Sequence, residues 1–412
     1  MKPQVSIVGA GIIGLTLAVR LQRSGMQVTL IDRNSVGSGA SFGNAGHLAT
    51  EQVFPVADPS LFKHLPKMLM DPLGPLRVDW RYLPKLLPWM ARLVLNMRPE
   101  AFLSIHETLK RFNAHSLNAW QEMVKDFDLQ AWVHIKGSLL VCENHSTAMH
   151  LQEHGRKLND LGVSNQYLRQ AALHEAEPQL ADNQLGGLFF PDTGHVSDLV
   201  GMMQQLTRAL VQDGGKIVEH CEVIHIKQVA DKQVQLHTSQ GQMVADKVVI
   251  AMGAHAKDLV KQVTGVSVPL DTERGYHYML PQETGRLNVP VSSADRRFIM
   301  TPMDGGLRLA GTVEYAGLHA KPNMQRARNL LALANPMLKQ PLNAQEATEW
   351  MGFRPTIIDS LPVIDRVGNV FLSFGHQHLG LTHAALSAQL LQQLMNNEAT
   401  SLSLQPYRLH RF

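Results

Sequence analysis

Three glycines and one acid, Gly9, Gly11, Gly14 and Asp32, carry the clearest chemistry in this sequence. The glycines are spaced G-x-G-x-x-G, and Asp32 follows Gly11 by 21 residues. That spacing suits a pyrophosphate, with one glycine for a tight turn, one for close backbone approach and one for helix–strand packing. An acid at that distance can hold a ribose hydroxyl, and it favours a free 2′-hydroxyl over a 2′-phosphate. A second group lies near the C-terminus. Arg354 stands in G-F-R-P, and a guanidinium fork binds a carboxylate through two hydrogen bonds. Gly375, His376, His378, Gly380, Leu381 and Thr382 follow an apolar run. His376, His378 and His383 have no Cys, Asp or Glu nearby in the chain to complete a ligand set, so no metal is expected.

The elements that must position these groups read as an α/β fold. Val5 to Val8 has the apolar, β-branched character of a buried parallel strand. A helical period then runs through Leu15, Leu17, Ala18 and Leu21 and stops at Gly25. Its first turn, with Ile12 and Ile13, offers free N–H groups to phosphates. Val28 to Ile31 is a second strand with Asp32 at its tip. At the other end, a strand from Val370 to Phe374 feeds a helix from His383 to Met395, whose N-terminus is another positive dipole end. Between these ends, Val248 to Met252 is a buried strand running into Gly253. ERGYHYML, RRFIMTPM and LRLAGTVEY read as strands of a second, mixed sheet. In the first of these, Tyr276 and Tyr278 point one way and His277 the other.

After Asp32 and Arg33 comes VGSGASFGNAGHLA, small residues that let backbone run against a flat ligand. This stretch, with G-F-R and G-H-x-x-x-G-L-T near the C-terminus, resembles the FAD-dependent D-amino-acid dehydrogenases of the D-amino-acid oxidase superfamily. The resemblance implies a Rossmann-like FAD-binding domain with a mixed-sheet substrate domain inserted. Residues 1–50, 198–263 and 350–412 would form the first, and 51–197 and 264–349 the second. It places Arg33 near the adenine ribose, Val223 against the adenine and Gly253 beside the dinucleotide. It places Ser41, Asn44, Ala45, Gly46, His47, Gly375, His378, Gly380, Leu381 and Thr382 along the flavin. Arg354 would pair with the substrate carboxylate, with Tyr276, His277, Glu314 and His376 around the substrate. FAD would be non-covalent, since neither Cys142 nor Cys221 lies in a ring-contacting segment. The implied reaction moves the α-hydrogen of a D-amino acid to flavin N5 as hydride and gives an imino acid. SFGNAGHLAT and GPL…WRYLP look nearest to dehydrogenases of D-proline-like substrates, hydroxy-D-proline included, within a broader D-amino-acid reading, and the electrons would leave to a quinone or other carrier.

Composition sets the outer limits. The chain has 412 residues, 44% hydrophobic and 18% charged, with a net charge of +3, which gives no case for nucleic acid. Two distant cysteines show no metal or disulfide pattern, and the first strand begins within five residues of Met1, so a cytoplasmic protein is expected. Residues 61–100 stand apart, with seven Lys/Arg against three acids and with Pro, Leu, Met and Trp interleaved. Pro84 and Pro88 should break the segment into short pieces. It reads either as helices covering the active site or as a peripheral contact with an anionic membrane face. Three other readings stay open at this point. One is a glycine- or sarcosine-type oxidase making hydrogen peroxide, one a nicotinamide-dependent dehydrogenase, and one a non-enzymatic flavin-binding protein.

Overall fold

The structure is a computed structural model and describes residues 2–57, 71, 73–229 and 233–412. Its centre is a six-stranded sheet drawn from three separate parts of the chain. Gln4–Val8 lies between Gln27–Ile31 and Lys247–Ile250, parallel to both. Lys216–Val218 extends the sheet on one side and Val370–Phe374 on the other, again in parallel. Val363–Val367 closes the second edge in antiparallel fashion.

The two faces of this sheet bury different sets of side chains, as a period of two requires. Val5, Ile7, Val28, Leu30, Val249 and Phe371 point into a core shared with the Ile12–Arg23, Leu199–Gln212 and Gly380–Met395 helices. Val8, Ile31, Val248, Ile250, Leu372 and Phe374 point into the opposite core. That core is covered by the Lys257–Thr264 helix and a three-stranded meander, Val223–Gln228, Val234–Thr238 and Gly241–Ala245. The sheet is therefore the middle of three layers.

A nine-stranded mixed sheet forms the second body. Leu270–Leu280 runs between Thr348–Ile357 and Gly306–Tyr315, antiparallel to both. Two boundaries differ from the sequence expectation. Pro99–Asp126 falls within 51–197, yet Ile105, Leu109, Phe112, Trp120 and Met123 pack into the core under the six-stranded sheet. Thr348–Ile357 crosses the boundary expected at 350 and is an edge strand of the nine-stranded sheet. Both follow from long-range pairing that local pattern does not encode.

The prolines also act differently than expected. Pro84 and Pro88 both lie within one helix, Leu83–Leu95. Pro84 sits in the first turn, where no N–H is needed, and Pro88 forfeits one hydrogen bond near that end. Residues 61–70 and 72 of the basic segment lie outside the described residues. Among the described residues, no helix is long and apolar enough to cross a membrane.

One core residue joins the layers to the C-terminal helix. Trp120 is fully buried, and its indole N–H donates to the carbonyls of Leu381 (2.9 Å) and Thr382 (3.1 Å). Trp120→Ala is expected to cost about 3–5 kcal/mol, a large aromatic lost from a packed core. Trp120→Phe, which mainly loses the hydrogen bonds, should cost about 1–3 kcal/mol. Urea unfolding of the two variants checks the order.

Candidate active site

Where the central strands end, the chain leaves a long cavity of about 420 Å³. At one end it is lined by Asp32, Arg33 and Val223, with Gly253 close by. Gly9, Gly11, Ile12, Ile13 and Ser41 line its middle, and Asn44, Ala45, Trp350, Arg354, His376 and His378 its far end. The Asp32 carboxylate is fixed by the backbone, accepting from Ala10 N–H (2.7 Å) and Asn34 N–H (2.8 Å). Arg33 lies 2.9 Å from the ring of His255, whose pKa burial and the neighbouring guanidinium push down to about 4.

Close backbone contact forms the floor. Gly9 has φ +106°, and a Cβ there would stand 2.5 Å from the Ala251 carbonyl oxygen. A Cβ on Gly14 would stand 1.9 Å from the Gly9 oxygen. Only glycine fits at either place. The Ile12–Arg23 and Gly380–Met395 helices both begin at the cavity, and neither has an acid in its first turn. Two positive helix ends thus face one cavity with no protein carboxylate in either first turn, which suits an anionic ligand. Ser41 braces the first of them by accepting from Ile12 N–H (2.9 Å). An acid at one end, N–H groups in the middle and a flat backbone-walled region at the far end fit an extended FAD.

A second cavity of about 650 Å³ adjoins the far end, and Asn44, Ala45, Ala310, Arg354 and His378 line both. Its walls are mostly apolar, including Leu86, Trp89, Met90 and Leu93 of the Leu83–Leu95 helix and Phe298 and Ile299 from the sheet. Arg354 stands at the junction. Among the described residues its guanidinium has one bonded acceptor, the Thr312 carbonyl (3.1 Å). It lies over Gly275, where a Cβ would come within 2.4 Å of Nη2. Glu273 is directly opposite Arg354 in the strand pairing and accepts from the Tyr315 hydroxyl (2.8 Å). Burial raises the Glu273 pKa while Arg354 pulls it back, and burial also lowers the Arg354 pKa. Thr312 has φ +62°, an uncommon conformation for a β-branched residue, and it aims its carbonyl at the guanidinium.

Several expected site residues stand elsewhere. Gly14, Gly46, Gly375 and Thr382 lie behind the cavity wall rather than on it. Thr382 accepts from Ala49 N–H (2.9 Å), and Gly46 turns the chain at φ +77°. His47 opens onto the second cavity and not the first. His277 lines neither; its ring stacks on Trp350, and its Nδ1 bonds the Gly43 carbonyl at 3.0 Å. Glu314 also lines neither. It accepts from the Tyr276 hydroxyl and lies 3.8 Å from Arg274, so both expected substrate groups are held in a buried network. Tyr276 lines the first cavity, with its hydroxyl committed to that network. His376 lines the first cavity and bonds Ser387 Oγ at 2.9 Å. Among the described residues no His, Cys, Asp and Glu cluster could hold a metal.

Sequence reasoning missed Glu273, Thr312, Tyr315 and Trp350. Only Glu273 carried a signal, as an acid beside Arg274 in a polar-aromatic strand.

Buried ionisable groups give the protein a defined pH response. Burial pushes His47 and His376 down to about 3, His195 and His277 to about 4, and His383 well below its usual value. Unfolded, these five take up protons below about pH 6.5, so their contribution is present above that pH and lost as pH falls. Burial raises Glu51 to about 8 and Glu177 to about 7. Their contribution is present below about pH 4.5 and lost as pH rises through those values. Urea midpoints are therefore expected to peak near pH 6.5, and Glu51→Gln should flatten the alkaline limb while leaving the acid limb in place.

Comparison with known proteins agrees with this geometry. Residues 4–394 match the family model described as DAO, FAD dependent oxidoreductase. A D-amino-acid oxidase of Bradyrhizobium diazoefficiens is 33% identical over 99% of this chain and 98% of its own. A D-amino acid dehydrogenase of Vibrio vulnificus is 27% identical over 95% of both chains. Among solved structures, glycine oxidase from Geobacillus kaustophilus has the same fold, with a TM-score of 0.75 and 22% identity over the full length of both chains. With the motif, the two-ended cavity and a family match along nearly its whole length, this chain belongs to the FAD-dependent oxidoreductases of the DAO family.

Proposed function

We propose that this enzyme oxidises D-amino acids with apolar side chains, D-proline and hydroxy-D-proline among them, and passes the electrons to a quinone or other carrier. The observation that carries this reading is Arg354, a guanidinium set where the FAD-shaped cavity meets a large apolar one. Its free N–H groups would grip the substrate carboxylate and fix the α-carbon at the junction. Leu86, Trp89, Phe298 and Ile299 would take the side chain and exclude water. The hydroxyl of hydroxy-D-proline would find polar partners at Ser292, Ser293 or Arg297 on the same wall. FAD, when bound, supplies the hydride acceptor. The D-handedness follows the relatives named above.

The carrier reading is supported by the Leu83–Leu95 helix. Its inner face walls the apolar cavity, while Leu87 and Leu95 stand 53% and 50% exposed near the basic side chains of Lys85, Arg92 and Arg98. An apolar stripe with basic neighbours suits an anionic bilayer surface, where a quinone is at hand. An oxidase reading is favoured by the 33% identical relative, and the same experiment separates the two.

Anaerobic addition of a D-amino-acid panel to the yellow holoenzyme should bleach its visible bands, with L-isomers inert. Colour returning with a soluble quinone but not with air would mark a carrier-linked dehydrogenase. Rapid return in air with peroxide would mark an oxidase, and no bleaching by any D-amino acid would sink the substrate reading. Arg354→Ala should raise KM at least tenfold, the loss of a charge-assisted pair of roughly 1.5–3 kcal/mol. An unchanged KM would remove Arg354 from substrate binding.

A further inference from the structure

One polar row leads away from the apolar cavity and has no part in the chemistry so far. His47 is in register with His195 on the neighbouring strand, and His195 is in register with His134 on the strand beyond. Residues directly opposite in antiparallel strands project on the same face, so the three imidazoles form one line across the small sheet. The rings of His195 and His134 are 5.3 Å apart. His47 lines the apolar cavity, and Glu51 stands one helical turn's spacing further along the chain, with its Oε1 3.9 Å from His47 Nε2. His134, at the other end, is only half-buried, and its Nε2 is 3.1 Å from Ser197 Oγ.

Three buried polar atoms on this line have no hydrogen-bond partner, His47 Nε2, Glu51 Oε2 and His195 Nδ1. Each orphan costs free energy unless water reaches it. Spacings too long for direct bonds, flanked by donors and acceptors, are places for bridging water. Such a line of alternating imidazole and water can pass a proton, because a neutral imidazole accepts at one nitrogen and donates from the other.

The reaction has a proton to dispose of. An amino acid enters as its ammonium form and must lose one N–H proton. The nitrogen lone pair so freed then closes the C=N bond as the Cα–H bond gives up its hydride. Two electrons go to FAD, and one proton is left in a cavity whose walls are mostly apolar. We propose that Glu51 and the His47–His195–His134 row carry this proton from the apolar cavity to the half-buried ring of His134 and out to solvent there. This rests on the amino-acid reading above. The charged groups facing the row are Lys136, near His195 and His134, and Asp304, near His134. Burial keeps His47 and His195 neutral, so neither traps the proton, and it keeps Glu51 protonated at pH 7, so that its carboxyl hands on its own proton as it takes the next.

The test uses the FAD-loaded enzyme with an indicator dye in weak buffer. In the native protein, proton release should keep step with anaerobic bleaching. His195→Phe should slow bleaching about tenfold at pH 7 without changing substrate Kd, make proton release lag behind it, and recover at least threefold with added imidazole. His195→Gln guards against a packing defect, since it keeps polarity and size but relays no proton, and it should behave alike. Release that stays in step, with unchanged bleaching in both variants, would overturn the proposal. A second arm needs no turnover. With benzoate filling the cavity of 15N-histidine-labelled holoenzyme, His134→Phe should slow exchange of the His47 and His195 ring N–H protons with D2O at least tenfold, and unchanged exchange would refute the relay. If D-amino acids fail to bleach even the native enzyme, the substrate reading falls while this arm still decides the row.

Discussion

The structure depends on how closely three pieces of backbone approach one another at Gly9. There the first strand ends, the Ile12–Arg23 helix begins, and Ala251 of a strand some 240 residues later passes within contact distance. A methyl group at Gly9 or Gly14 would push helix and strands apart. The positive end of the helix would then leave the phosphate site, and the cavity would lose its floor. Because the helix also packs against the Gly380–Met395 helix, with Thr16 Oγ1 bonded to the Ala384 carbonyl (3.3 Å), the same contact sets the second helix end at the far side of the cavity. Placement of both dipole ends thus follows from one steric requirement near the N-terminus.

Charge at the other end of the cavity is arranged with equal economy. A buried guanidinium is costly unless compensated, and Arg354 has a single bonded carbonyl and a carboxylate opposite it that is itself occupied by Tyr315. The fork is left partly unsatisfied toward the two cavities. That is a poor arrangement for stability and a good one for seizing a carboxylate, since the ligand supplies what the protein withholds. By contrast, Arg274 is wholly buried and uses its donors on the carbonyls of Gly317, Ala316, Ala320 and Lys321. Two arginines on neighbouring strands thus have opposite fates, one structural and one open.

How much of this was legible in the sequence follows from range. The dinucleotide turn is local: glycine spacing, apolar strand and terminal acid all fall within 28 residues, and Gly9 and Gly14 stand where close backbone contact leaves room for nothing larger. The second helix end was legible for the same reason, although the helix begins at Gly380, three residues before the expected His383. The Tyr276–Glu314 network was not, because a strand pattern shows which face a side chain takes but not what waits across the sheet. The pairing of these two strands shifts register between Arg274 and Tyr276, and the Tyr276 hydroxyl is committed to Glu314 although its side chain lines the first cavity. The position of the Pro99–Asp126 helix was equally hidden. Its apolar stripe announced a buried face, but only the fold determines which core receives it. Pro88 misled for a local reason, since one missing N–H near a helix start is a small loss beside the burial of Leu86 and Trp89.

The histidines tie these themes together. A cavity that binds a carboxylate tightly and excludes water from a hydride transfer must be apolar, and an apolar cavity has no ready exit for charge. Fixed ions along an exit would bring large desolvation costs and would compete with Arg354 for the substrate. Neutral imidazoles avoid both penalties, being polar enough to hold water yet uncharged at the working pH. The strand register makes this possible. His47, His195 and His134 come from three distant segments, but each pair is directly opposed, so they share a face with no insertion or bulge between them. The short strands that carry them also bury Leu48, Val133 and Val196 in the main core, while the orphaned ring nitrogens weaken the sheet that holds them. A fold selected for stability alone would fill this seam with aliphatic side chains, as it does one layer away in the six-stranded sheet. Keeping it polar makes sense where a proton has to cross.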